Sequence, residues 1–597
     1  MSPTVLGAVG AVAGSTLSIK LSKNVASGIV IIGGRSYRVG QVGSFVRIPQ
    51  GYHDLYGIIS DVGATALPEN LKDTEIQDTR WMTAQLVGEV IQSTFERGIS
   101  QYPNINDKVH LVTEEDLLKV YGTSLSGQIT IGRLSNAENI PVKLDLDKLL
   151  TRHSAVLGST GSGKSTTVAS LLRSISSSKD SCFPSARVLL LDIHGEYGSA
   201  LADTAAVFRV RPLAGENPLH IPYWALPPKD LLDFVMGALS DQQEIAVLEK
   251  VFSEKEASAS RNPLAGLNLT SMNVDSPVPY SLKKIWHDLI DPEIKTWSNS
   301  ERTDSTQIDP GNADRLTPPT YLPATTNNTA PFLNRANVLG IKRQLGRLRS
   351  LLLDRQYEFL LTPGPWSPDL DGNTDRDLSE LLHSWMGHDK PITVLDLSGI
   401  PGPVLIKLIG AILSIIYDGL FWGREKNEGG RKRPQLIVME EAHRYLGKDS
   451  NNSARDMVQR IVKEGRKFGI GAMIVSQRPS EIDDTILSQC GTFITLRLTN
   501  SSDQGRVKSA LPDNLGGIGD TLPILRTGEA LIVGEAAHLP IRCRVTLPNE
   551  DHRPNSGDPD VALNWAKDRL VENYDNLTGP WRAQDPSWET THHNEEE

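Results

Sequence analysis

The run Gly158-Ser159-Thr160-Gly161-Ser162-Gly163-Lys164-Ser165 constrains this chain more than any other feature. It fits G-x4-GK-[ST] and sits between His153–Leu157, which reads as a strand, and Lys164–Ile175, which reads as a helix, the context the motif requires. The glycines let backbone N–H groups turn inward around phosphate oxygens, and the helix N-terminus adds its partial positive charge. Lys164 then reaches the β- and γ-phosphates, and Ser165 holds Mg²⁺ through its hydroxyl. The predicted nucleotide-binding residues are Gly158, Ser159, Thr160, Gly161, Ser162, Gly163, Lys164, Ser165 and Thr166, and the predicted cofactors are ATP and Mg²⁺. A loop of this kind demands an α/β core with a parallel sheet.

Residues from about 140 onward supply that core, with apolar strands alternating with helices. Val188–Asp192, Ile392–Asp396, Gln435–Met439, Ile470–Ser476 and Thr492–Leu498 read as strands, and Ser453–Lys467 and Ser480–Ser488 as helices. Before it, short β-branched stretches punctuated by glycine predict a small all-β barrel or sandwich over 1–138. The core is read as 139–250 and 386–548, interrupted by a helical insertion over 251–385. That insertion carries a Ser-, Thr-, Asp-, Asn- and Pro-rich linker at 297–329, and a polar acidic tail covers 549–597.

At 597 residues the chain has room for several domains, and 22% charged residues with 39% hydrophobic ones exclude a disordered chain. A formal charge of −11 argues against a surface coated with phosphate-binding residues, but leaves room for a local basic channel. Three widely spaced cysteines form no CxxC pair, so a zinc knuckle or disulfide framework is not expected and a reducing cytoplasm fits. Pro403–Trp422 is long enough to span a bilayer, yet Lys407 and Asp418 interrupt it. It reads as a buried core helix, with no membrane partner.

A phosphate loop needs carboxylates on a nearby strand end, and Glu440-Glu441 after Leu436–Met439 supplies them. Glu440 would orient the Mg²⁺ shell through water, and Glu441 would polarise the attacking water. Positive charge is also needed against the γ-phosphate; Arg466 and Arg152 are the candidates. Gln477, after another core strand, is a candidate γ-phosphate sensor. Asp192 and Glu196, after Val188–Asp192, could assist the water or metal, or simply cap a turn. The histidines His153, His194 and His443 read as structural hydrogen-bonders, since no metal-type spacing links them. The basic stretch Trp422–Arg433 reads as a solvated loop or, less simply, one facing DNA.

Taken together, RHSAVLGSTGSGKST, LLLDIHGEY, LIVMEEAHRYL, EGRKFGIGAMIVSQRPSEI and LRTGEALIVGE resemble, in the same order, the motifs of HerA-type ATPases of the HerA/FtsK superfamily. The resemblance implies a RecA-like P-loop NTPase core with an N-terminal β-barrel (the HAS-barrel), a helical insertion and a C-terminal brace reaching a neighbouring subunit. It further implies a homo-hexameric ring that threads double-stranded DNA and works with a partner nuclease or, in anti-phage defence pairs, a sirtuin-like effector. By the same resemblance Glu441 is catalytic, and Arg466 and Arg152 act on nucleotide at the subunit interface. The expected activity is ATP-driven translocation or unwinding of DNA; a nucleotide-bound scaffold that switches an effector is the alternative.

Overall fold

A computed structural model describes residues 4–22, 29–32, 35–63, 80–92, 94–121, 127–135, 137–177, 183–325, 329–448, 452–510, 516–537, 539–555, 559–567, 574–583 and 588. Cys182 and the glutamates that end the chain therefore lie outside the described residues. The chain divides into two compact units, 1–219 with 378–554, and 220–377 with 555–597.

The first unit begins with a closed β-barrel. Thr16–Leu21, Val5–Ala13, Lys108–Leu111, Phe45–Pro49, His53–Val62 and Trp81–Ile91 pair in that order, and the last returns to the first, with Leu17 opposite Ala84. Alternation along each strand sends Val9, Leu17, Ile19, Val46, Ile48, Leu55 and Met82 inward, all essentially buried. Closure removes the unpaired edges that so small a sheet would otherwise expose. Thr94–Arg97 extends the outer end of Trp81–Ile91.

The barrel stops earlier than position 138. Gln128–Leu134 and Ala137–Asp145 pair with each other, and Gln128–Leu134 also pairs with Ile541–Val545, so both join the edge of the following sheet. Period-2 alternation identifies a strand but says nothing about which sheet receives it.

That sheet has twelve strands. Its parallel part runs Thr492–Thr495, Ser154–Leu157, Ile470–Ser476, Gln435–Met439, Val188–Asp192, Ile392–Asp396, Ala205–Arg209 and the short Asn217–Pro218, and an antiparallel wing of Glu529–Gly534, Ile541–Val545 and the two strands just named completes it. Strands buried on both faces read as unbroken apolar runs, and every residue of Ser154–Leu157, Val188–Asp192 and Gln435–Met439 is buried. Gly402–Trp422 packs on this core; its stretch Val404–Trp422 is the one helix among the described residues long and apolar enough to cross a membrane. Ile409, Ile412, Leu413 and Ile416 on it are fully covered by protein.

The second unit starts at His220, not at 251, because Pro228–Val235 and the capped helix Asp241–Arg261 belong to it. Its polar stretch is folded and is no linker. Trp297 pairs with Phe332 and Gln307 with Tyr321, while Asn299 accepts from the backbone N–H of Thr303. Short polar side chains that make a segment look like a loop also bond its backbone locally. In the tail, Val561–Trp565 and Asp575–Ala583 are helical.

Ile412→Ala should destabilise the first unit by about 2–5 kcal/mol, the usual cost of emptying a fully buried aliphatic site. A lowered midpoint of guanidinium unfolding checks this.

Candidate functional site

The phosphate loop leaves the C-terminal end of Ser154–Leu157 in the middle of the sheet. Its N–H groups can face inward because Gly161 and Gly163 adopt φ +72° and +94°, a region closed to most side chains. Neighbours brace it from both sides: Gly158 N–H donates to Ser476 O (3.2 Å), and Gly528 N–H to Ser162 O (2.9 Å). Gly528 comes so close that a Cβ on Gly163 would meet its nitrogen at 3.2 Å. Lys164–Ser176 then begins with no side chain capping its first turn, and Ser162 Oγ is buried with no partner among the described residues. Uncapped N–H groups, a helix N-terminus and an orphaned hydroxyl fit the phosphates of a nucleotide.

Two strands along, Gln435–Met439 delivers the acids. Lys164 Nζ bonds Glu441 Oε1 and lies 3.9 Å from Glu440 Oε1. Glu441 reaches it by taking φ +44°, a left-handed conformation that costs a non-glycine residue roughly 1–3 kcal/mol. Its second oxygen stands 3.1 Å from His443 Nδ1, which is itself 3.2 Å from Ser476 Oγ. Burial pushes the Glu441 carboxyl up, but the His443 hydrogen bond and the Lys164 charge overcome it and hold it down at about 2. Glu440 is the opposite case. Burial pushes it up to about 8, against the pull of Lys164 and with the Glu441 and Asp192 charges adding to the rise. One acid is thus a fixed anion and its neighbour a proton holder.

Tyr197, part of LLLDIHGEY but given no role there, donates to Glu440 Oε2 at 3.0 Å and has Ser165 beside it. It links the two groups assigned to the metal, Ser165 and Glu440. A phenol buried in an otherwise polar turn was the available signal. Asp192 is the residue that builds this turn: its carboxylate accepts from the N–H of His194 (3.2 Å), Gly195 (2.8 Å) and Tyr197 (2.9 Å). That is the capping role. Burial raises it to about 6. Glu196 Oε2, by contrast, is buried with no hydrogen-bond partner among the described residues. Gln477 lies against the phosphate loop, accepting from Thr160 Oγ1 at 2.6 Å.

The two arginines are elsewhere. Arg152 precedes Ser154–Leu157 and Arg466 precedes Ile470–Ser476, so both stand at the N-terminal ends of parallel strands whose C-terminal ends carry the phosphate loop and Gln477. Four residues of strand put about 13 Å between those edges. The arginines share their edge, since the Arg466 charge adds to the burial that lowers His153 to about 4. Both are exposed, and Arg152 Nε meets Glu535 Oε2 at 3.3 Å. The basic loop 422–433 spends much of its charge on itself: Arg431 pairs with Glu425 (2.7 Å) and Lys432 bonds Asn427 (3.0 Å).

A parallel α/β sheet with this loop, these strand-end acids and a barrel in front defines a P-loop ATPase. Residues 129–416 match the family model described as "Helicase HerA, central domain", and 407–540 match "Helicase HerA-like C-terminal". The "DNA double-strand break repair helicase HerA" of Sulfurisphaera tokodaii is 29% identical over 80% of each chain; that of Saccharolobus solfataricus is 27% identical over 76% of this chain and 75% of its own. The protein of the same name from Sulfolobus acidocaldarius is 24% identical over 89% and 93%. Among solved structures, VirB4 of Thermoanaerobacter pseudethanolicus aligns over 72% of this chain and 99% of its own, at 14% identity and a TM-score of 0.44. The chain belongs to the HerA-type ATPases.

Raising an acid's pKa by burial means the folded chain keeps a proton that the unfolded chain has released. The stability Glu440 contributes is therefore present below its ordinary value of 4.5 and is lost as pH rises through about 8. The nucleotide-free wild type should lose melting temperature relative to Glu440→Gln between about pH 5 and about pH 8. Parallel thermal scans over that range check the sign.

Proposed function

We propose that this ATPase is a motor on double-stranded DNA, a translocase or helicase that works as a hexameric ring with a partner nuclease or other effector. DNA end processing and anti-phage defence are the settings that suit it. The observation that carries the reading is the division of charge between the two edges of one sheet. Lys164, Glu441 and Gln477 gather at one edge, whereas Arg152 and Arg466 stand exposed at the other, too far away to serve the same nucleotide. Arginines in that position can complete the site of a neighbouring subunit, which makes hydrolysis depend on assembly and lets firing pass around a ring.

Within one site, the loop N–H groups and Lys164 would bind the phosphates, and Ser165 and Glu440, joined by Tyr197, would hold Mg²⁺. The ion would supply neutralisation of the charge carried by the phosphates. Glu441, an anion over the whole working pH range and turned to face Lys164, would orient and polarise the attacking water. Gln477 would read the occupancy of the loop through Thr160. DNA would be gripped through its phosphates, so binding should weaken with salt and ignore sequence.

ATP turnover with and without linear duplex DNA tests the motor reading. Wild-type turnover should rise with DNA, while Lys164→Ala and Glu441→Gln should each lose about a hundredfold or more. Turnover indifferent to DNA would assign the chain to the scaffold role instead. Lys164→Ala and Arg152→Ala subunits, inactive alone, should regain turnover when co-assembled, because each supplies what the other lacks. Failure of the mixture would remove the arginine from the neighbour's site.

A further inference from the structure

The ion pair of Arg152 with Glu535 lies in a part of the first unit that no chemistry so far explains. Both side chains are about half exposed, at 45% and 48%, and a pair that open to water adds little to stability. Its surroundings, however, are tightly specified. Arg152 ends the helix Leu146–Thr151, and its carbonyl accepts from Gly491 N–H at 2.7 Å. Gly491 O in turn accepts from Glu535 N–H at 2.8 Å, so one glycine joins the two backbones. No other residue fits there, because a Cβ on Gly491 would meet Arg152 Cβ at 2.8 Å. Just after Arg152, His153 is buried at φ +52° and its Nδ1 accepts from Ala472 N–H at 3.1 Å, which fixes where the chain leaves the arginine.

The short loop that presents Glu535 is held from a second side by the barrel. Arg97, on the strand Thr94–Arg97, donates to Gly534 O at 2.5 Å and to Ala537 O, gripping the loop on both sides of Glu535. Inside the loop, Ala536 N–H bonds Thr492 Oγ1 at 3.1 Å and Ala536 O accepts from Asp145 N–H at 2.9 Å. Gly534 itself needs φ +130°, and a Cβ there would meet Gly491 O at 2.1 Å. A loop fixed by the barrel, by two strands and by a glycine contact thus offers its carboxylate to a long, exposed side chain. Such a side chain has many rotamers to lose, and a fixed carboxylate selects among them.

We infer that Glu535 is a positioning residue that aims Arg152 for its work on a neighbouring subunit's nucleotide, and that Arg97 ties this aim to the N-terminal barrel. The inference rests on the reading of Arg152 as a group acting between subunits. It gives the barrel a direct mechanical line to the ATPase cycle: a shift of Thr94–Arg97 on binding a partner or DNA would move the Glu535 loop and, with it, the guanidinium of Arg152.

Steady-state ATP turnover of the full-length assembled protein with linear duplex DNA, for Arg152→Ala, Glu535→Gln, Arg97→Lys and the double variant Arg152→Ala/Glu535→Gln, tests the inference. Arg152→Ala should lose at least about tenfold in kcat. Glu535→Gln, which keeps the shape and removes the charge, should lose about threefold to tenfold in kcat with KM for ATP within about twofold and an unchanged melting temperature. Arg97→Lys keeps the charge but cannot grip both carbonyls, and should show the same kcat-selective loss. The double variant should be no slower than Arg152→Ala alone, because Glu535 acts only through that arginine. If Arg152→Ala turns over like the wild type, the between-subunit reading falls and this inference with it. If Arg152→Ala is slow but Glu535→Gln is as fast as wild type, or if the two losses multiply in the double variant, the positioning role alone is overturned. A wild-type kcat for Arg97→Lys beside a slow Glu535→Gln would overturn the tie to the barrel.

Discussion

The bond between Lys164 and Glu441 joins the loop after one strand to the acid after another, and most of the first unit is organised so that it can form. Ser154–Leu157 and Gln435–Met439 are separated by Ile470–Ser476, and the parallel registers Leu157 to Ser476 and Met439 to Ile474 leave Met439 short of Leu157, so that the acids following Met439 come up beside the start of the phosphate loop. A one-residue slip in either ladder would turn the acids to the other side of the sheet. The apolar side chains of these strands therefore do more than fill a core, since their close packing against the layers on both faces holds the strands in place. Glu441 then completes the approach with a left-handed backbone, a local strain that the packed sheet, the bond to Lys164 and the contact with His443 sustain.

The same parallel arrangement sorts the charged groups by strand direction. Residues that follow strands, Glu440, Glu441, Gln477 and the turn built on Asp192, converge where ligands bind in open α/β sheets. Residues that precede strands, Arg152 and Arg466, are carried to the other edge. The antiparallel wing gives this second edge its own support, because the turn after Glu529–Gly534 crosses beneath Arg152 and is clasped by Arg97. Arg97 thus attaches the barrel to the edge bearing the arginines, while the other end of the same wing strand, at Gly528, braces the phosphate loop.

Much of this was legible in the chain. The phosphate loop, the buried strand before Glu440-Glu441 and the barrel alternation are local patterns, each written in consecutive residues. What was missed depends on residues far apart in sequence. Gln128–Leu134 reads as one more barrel strand until Cys543 is seen opposite Leu134. The polar stretch after Trp297 reads as a linker because its bonds come from Thr, Asn and Asp side chains, which leave no apolar period. Tyr197 carries no motif of its own, and its value appears only when folding brings Glu440 and Ser165 to its hydroxyl. Asp192 was open between chemistry and capping, and three backbone N–H groups claim both of its oxygens.

The site also has an internal logic of competition. The Lys164 ammonium stands between two acids, one held ionised and one held neutral by burial. A phosphate in the cradle would compete with Glu441 for that ammonium. Were Lys164 to turn toward a phosphate, Glu441 would keep His443 beside it and lose part of the charge that depresses its pKa, becoming a better acceptor for a proton from water. Glu440 would lose with Lys164 a charge that lowers its pKa, and would release its proton only if a divalent charge took that place. The ion pair with Lys164 thus holds down the basicity of Glu441, and an anion bound by the loop would raise it.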